Sequence, residues 1–132
     1  MSASPNLDLV RSIYAAWERG DFSSAEWAHP EIEFVVPDGP DPGIWKGLAE
    51  MTAAWRSQIS AWQAFQAVAD EFRQLDDERV LVLGHIGGRG KTSGLEVGQK
   101  VAELFHIGDG EVTRLVTYWE RERGLADLDL KE

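Results

Sequence analysis

The chain has 132 residues, with 13 Lys and Arg against 23 Asp and Glu, and a formal net charge of −10. One domain over residues 1–132 is the expectation at this length, and so acidic a chain argues against partners held through basic patches, nucleic acid and anionic lipid among them. The absence of cysteine removes disulfides, thiolate chemistry and zinc ribbons together.

A first helix is expected from Pro5, with Ser4 as its cap. Leu7, Val10, Tyr14 and Trp17 recur at spacings of three and four, which puts them on one face, and Ile13 widens the stripe. Gly20 ends it. Met1–Leu9 shows no basic run followed by an apolar stretch, and no segment approaches the ~20 apolar residues of a membrane helix. The expected compartment is the cytoplasm, with no membrane partner.

Asp21 is read as the cap of a short second helix running to about Ala28 and stopped by Pro30, with His29 at its end. Ile32, Phe34 and Val36 alternate as a short strand. Pro37–Gly43 reads as a loop, and Gly47 opens a longer helix with Leu48, Met51, Trp55, Ile59 and Trp62 as its buried stripe.

The second half reads as strands. Phe65–Leu75 alternates but slips around Ala69, which signals a bulge. Asp76-Asp77-Glu78 is a turn, and Arg79–Gly88 is a β-branched strand. Arg89–Gly98 reads as a glycine-rich loop or a frayed strand edge. Lys100–Ile107 and Glu111–Trp119 are two strands joined by Gly108-Asp109-Gly110, a hairpin signal. The tail, about 125–132, is expected to fray. The order α-α-β-α-β-β-β-β gives an α+β fold.

Glu103 is the most informative residue. Alternation puts it on the face of Val101, Phe105 and Ile107, an apolar face that looks inward. A carboxylate there must be paired, hydrogen-bonded or neutral. An apolar setting raises its pKa and suits it to acid/base work near neutral pH. An ion pair with Arg114 or Arg89, or an edge strand facing water, is the other reading.

His85, in line with Leu81 and Leu83, is a candidate base partner for Glu103, or a histidine satisfied by a tyrosine or a carboxylate. His106 falls on the face opposite Glu103. His29, His85 and His106 show no metal-ligand spacing, so neither a metal nor another cofactor is expected. Gly88–Thr92 lacks the first glycine of a phosphate loop, and a strand follows it rather than a helix, so it reads as a strand connection. Asp38 and Asp41 are either turn residues or carboxylates at a pocket rim. Six tryptophans, Trp17, Trp27, Trp45, Trp55, Trp62 and Trp119, either fill an irregular core or line a cavity.

Three stretches resemble a known superfamily. NLDLVRSIYAAWERGD (6–21) is similar to its opening helix and Gly-Asp break. HPEIEFVVPDGPDPGIWKG (29–47) is similar to its first strand, mouth loop and aromatic-x-Gly. VAELFHIGDGEVTRLVTYWERERGLADL (101–128) is similar to its closing hairpin and tail. The chain so resembles the SnoaL-like proteins of the nuclear-transport-factor-2-like superfamily, which includes ketosteroid isomerase and polyketide cyclases.

The resemblance implies a cone: a strongly curved antiparallel sheet wrapped around the long helix, with an apolar pocket inside. Leu115, Thr117 and Trp119 would face inward. Arg114, Val116 and Tyr118 would face outward, where many members form a homodimer. The isomerase's oxyanion tyrosine falls at Ile13, one residue from Tyr14. Its general-base aspartate falls at Val36, and its protonated acid at Glu103. The implied function is binding of a small, largely apolar or aromatic molecule with cofactor-free acid/base chemistry by Glu103 and His85. Tyr14, Trp17, Val36, Trp55, Phe105, Thr117 and Trp119 would line the pocket, and Trp27 and Trp45 would close it. The alternative is a non-catalytic ligand-binding or dimerisation domain.

Overall fold

The first helix, α1 (Pro5–Glu18), forms where the spacing puts it and buries Val10, Ile13, Tyr14 and Trp17. The computed structural model describes residues 5–19, 21, 26–39, 42–59, 62–90 and 96–130, and of these all side chains except those of 58–59, 62–65, 89–90 and 96–97. Asp41 and the start of the expected second helix, 22–25, lie outside the described residues.

Six strands follow: β1 (Ala28–Val36), β2 (Gly43–Lys46), β3 (Trp62–Gln74), β4 (Arg79–Gly90), β5 (Glu96–Gly108) and β6 (Glu111–Tyr118). They form one curved, unclosed sheet in the order β2-β1-β6-β5-β4-β3. Among the described residues the remaining helices are α2 (Leu48–Ile59) and α3 (Arg121–Asp127). The fold is α+β.

Alternation sorts the strand residues between two apolar layers. Val80, Val82, Phe105, Ile107 and Leu115 pack on the inner side, with α1 and α2. Leu81, Leu83, Leu104, Val116 and Tyr118 pack on the outer side. The expected hairpin is present as a two-residue turn. Asp109 and Gly110 both have positive φ, +53° and +79°, which is the hand that matches strand twist.

Several expectations are corrected. Ala28 belongs to β1 rather than to a second helix, Pro30 lies inside that strand instead of stopping a helix, and Glu26 and Trp27 form a turn. The cause is tertiary: Ala28 pairs with Val112, and the Trp27 carbonyl accepts the Val112 N–H at 2.8 Å. Pro30 is tolerated because the β1–β6 ladder shifts between Ala28 and Glu33, where no proline N–H is needed. That β1–β6 pair is parallel, so the sheet is mixed rather than wholly antiparallel.

Gly43–Lys46, at the end of the expected loop, is a short antiparallel edge strand on β1. Trp62 begins β3 instead of extending α2. Gly47, at φ +88°, does open α2: its carbonyl accepts the Met51 N–H.

The tail forms α3 rather than fraying from Leu125 onward. Leu125 is buried against the outer layer, joined by Leu128 and Leu130. Gly124 lets the helix lie close, because a Cβ there would come to 2.9 Å from the Tyr118 ring and 3.1 Å from Ala102. Val116 and Tyr118 do face outward. Both are buried, in the outer layer that Leu125 of this helix joins.

Candidate acid/base site

Glu103 is brought inward by the alternation of β5, and Tyr14 by the buried stripe of α1. The Tyr14 hydroxyl donates to Glu103 Oε1, and the Thr117 hydroxyl, on β6, donates to Oε2 at 2.9 Å. Glu103 is 8% exposed. Burial pushes its carboxyl above the ordinary glutamate range, and the two hydroxyl hydrogen bonds pull it only part of the way back. Tyr14 is shifted well upward by burial first and by the Glu103 charge second, so it stays a proton donor.

Aromatic rings from helices and strands gather around Tyr14. Tyr14 meets Trp17 edge-on at 4.8 Å between centroids, and Trp17 meets Trp55 at 5.4 Å. Trp27 stacks on Trp55 at 5.7 Å. Phe34 links Trp55 to Trp45, at 6.0 and 5.5 Å. Phe72 and Phe105 pack edge-on against Tyr14. The expected lining residues thus gather in one layer: Tyr14, Trp17, Val36 and Phe105 are buried in it, with Trp27, Trp45, Trp55 and Trp119 at its margin.

The ion pair weighed for Glu103 is not with Arg114, which pairs with Glu33 at 3.1 Å on the outer face. The Arg89 side chain lies outside the described residues. His85 is corrected. It shares the outer side of β4 with Leu81 and Leu83, opposite Glu103, and its Nδ1 lies 3.0 Å from both Asp70 carboxylate oxygens. It cannot partner Glu103. His106 is on the face opposite Glu103, as alternation requires, and lines an outer-face cavity of about 390 Å³ with Asp76, Asp77, Glu78 and Arg79. His29 lies in β1, where its Nδ1 accepts the Glu31 N–H.

Three features had weak sequence signals. Tyr14, rather than Ile13, reaches Glu103, although both are buried. Asp38 is 9% exposed, and its carboxylate accepts the Trp119 and Glu120 N–H groups at 2.8 and 3.1 Å. Arg121, between Glu120 and Glu122, is buried. It donates to the Gly84 carbonyl at 2.5 Å, the Asp70 carboxylate at 3.1 Å and the Val101 carbonyl at 3.3 Å.

Among known families, the SnoaL-like domain matches residues 10–115, most of the helix–sheet unit just described. The chain belongs to the SnoaL-like family. An uncharacterised protein of Mycobacterium tuberculosis is 25% identical to it over 122 residues, 90% of this chain and 92% of its own. An NTF2-like protein of unknown function from Burkholderia pseudomallei superposes with a TM-score of 0.79 at 22% identity, covering 94% of this chain and 97% of its own. TerC, co-crystallised with polyporic acid, superposes with a TM-score of 0.76 at 21% identity, covering 96% of this chain and 98% of its own. At these identities the structural likeness establishes the fold. Among the described residues, no helix of this SnoaL-like chain is long and apolar enough to cross a membrane.

Proposed function

We propose that this SnoaL-like chain binds a small, largely apolar or aromatic molecule beside Glu103 and performs cofactor-free acid/base chemistry on it, of the isomerase, cyclase or hydratase kind. The observation that carries the reading is the Glu103 carboxyl itself: buried, raised in pKa, and held between two hydroxyl donors under a layer of aromatic rings. A protonated Glu103 is a donor to a ligand oxygen that gains negative charge, and Tyr14 is a second donor at the same point. The aromatic rings supply the apolar contact surface that small-molecule sites use.

The test has two parts. Binding is read from quenching of tryptophan fluorescence by 1-anilinonaphthalene-8-sulfonate and by polyporic acid, the compound co-crystallised with TerC. Catalysis is read from deuterium uptake next to the carbonyl in a panel of aryl ketones in D₂O. The proposal expects binding and catalysed exchange in the wild type, and exchange lost with binding kept in Glu103→Gln.

A second reading, a non-catalytic ligand-binding domain, is favoured by one observation: both Glu103 oxygens already have partners inside the protein. Binding without exchange selects it, and no binding sinks both. Because Val116 and Tyr118 are buried in the outer layer, a homodimer through the outer face has the exposed Glu33–Arg114 end left to it. Sedimentation of Arg114→Glu against the wild type tests that interface.

A further inference from the structure

The parallel pairing of β1 with β6 sets Phe34 opposite Leu115. Carried four residues further, the same register brings Asp38 level with Trp119. Both residues follow inward-facing side chains: Asp38 follows Phe34 and Val36, and Trp119 follows Leu115 and Thr117. Trp119 is therefore the next inner side chain beyond Thr117, about 7 Å along the strand direction. It is half-buried against the inner layer, one inner position along from Thr117, whose hydroxyl donates to Glu103.

The residue is held from three directions. Asp38 accepts its N–H at 2.8 Å, and the Gln99 side-chain amide donates to its carbonyl at 2.7 Å. Gly39, at φ +89°, lies on its ring, and a Cβ there would come to 2.5 Å from Cδ1. The chemistry at Asp38 is specific to a carboxylate. Its two oxygens accept two backbone N–H groups, those of Trp119 and Glu120. Asparagine has one acceptor oxygen and would leave one of them unpaired. A carboxylate this buried is retained only where such hydrogen bonds compensate its desolvation.

We propose that Asp38 is a positioning residue that latches Trp119 as a gate over the Glu103 site, and that ligand enters and leaves when the Asp38–Trp119 contact opens. The inference rests on the ligand-site reading above. It gives Asp38 no part in proton transfer.

Stopped-flow binding of 1-anilinonaphthalene-8-sulfonate tests it in wild type, Asp38→Asn, Trp119→Ala and the double variant. Asp38→Asn is expected to speed association and dissociation together by about tenfold, the effect of losing one buried hydrogen bond, with little change in affinity. Trp119→Ala should speed both as well, and the double variant should be no faster than Trp119→Ala alone. Unchanged rates in Asp38→Asn beside faster rates in Trp119→Ala overturn the latch, and so does simple additivity. If Asp38→Asn does not fold, Gln99→Ala, which frees the Trp119 carbonyl, carries the same expectation, and unchanged rates there overturn it. If the wild type binds no probe, the ligand-site reading fails. The latch is then judged by hydrogen exchange: the Trp119 and Glu120 amides must exchange at least tenfold faster in Asp38→Asn while β4 amides do not, and equal exchange refutes it.

Discussion

Tyr14 and Glu103 lie 89 residues apart in the chain and share a buried hydrogen bond between the first helix and the fifth strand. The bond joins two groups whose neutral forms are both favoured. Burial raises the Glu103 carboxyl, and burial together with the Glu103 charge raises Tyr14. A proton on Glu103 is thus held more tightly in the folded chain than in the unfolded one, and the pair responds to pH as a unit.

The first prediction concerns stability against pH. A carboxyl raised on folding binds its proton more tightly in the native state. Its contribution is fully present below the unfolded pKa and is lost as pH rises through the folded one. The stability difference between the wild type and Glu103→Gln should therefore shift in favour of the variant as pH rises above about 4.5, by about 1.4 kcal/mol for each unit of pKa shift. Urea unfolding of both proteins at several pH values from 4 to 8 measures it. A difference that stays flat with pH refutes it.

Tyr14→Phe removes one of the two donors that partly offset the burial of Glu103. The Glu103 carboxyl should rise further, visible as a shifted carboxyl titration by infrared or NMR. Stability at neutral pH should fall by about 1–3 kcal/mol, because an acceptor oxygen is left unpaired in an apolar layer. Thr117→Val should act in the same direction through the other oxygen. A Glu103 titration that does not move in Tyr14→Phe contradicts the pairing.

The alternation around Glu103 was legible, because one side of β5 is apolar and a carboxylate interrupts it. The hairpin at Asp109-Gly110 and the bulge after Ala69 were legible too, each marked by local residue types. What was hidden depends on distant contacts. Ala28–Glu31 carries a proline and two polar residues, and only pairing with Val112 makes its start a strand. The tail from Leu125 was expected to fray because its apolar residues, Leu125 in α3 and Leu128 and Leu130 just after it, matter only once the outer layer is there to receive them. The partner of Glu103 was missed by one helical position. A step of about 100° around the helix separates Ile13 from Tyr14, and both fall within the buried stripe. His85 was misassigned because its own strand is apolar on both sides, so alternation alone did not say which side faces Glu103.

His85→Ala should leave ligand binding and any turnover within twofold of the wild type, since His85 sits on the outer face with Asp70. Its side chain is 48% exposed, so the stability cost should be below about 1 kcal/mol. A large loss of activity in this variant would return His85 to the site and contradict the face assignment.

Arg121 should matter far more than an exposed arginine. β3 shifts register between Ala69 and Glu71, which leaves Asp70 without an opposite residue in the β3–β4 ladder. The Arg121 guanidinium reaches this irregularity from the first turn of α3 and bridges the Gly84 and Val101 carbonyls and the Asp70 carboxylate. Burial by itself would raise the Asp70 carboxyl, and hydrogen bonds from His85 and Arg121 overcome it and hold Asp70 below the usual aspartate range. Gly84 has no room for a side chain, because a Cβ would strike the Val68 carbonyl. Arg121→Leu keeps bulk but leaves the Gly84 carbonyl unpaired, and should cost roughly 2–3 kcal/mol. Arg121→Lys should recover little of it, because an ammonium cannot present the planar fork that reaches three acceptors. Asp70→Ala should cost less than Arg121→Leu, since Asp70 is 43% exposed and water replaces its partners. Urea midpoints of the three variants decide the order. Full recovery in Arg121→Lys would mean that charge near the bulge, and not the geometry of the fork, is what fastens α3 to the sheet.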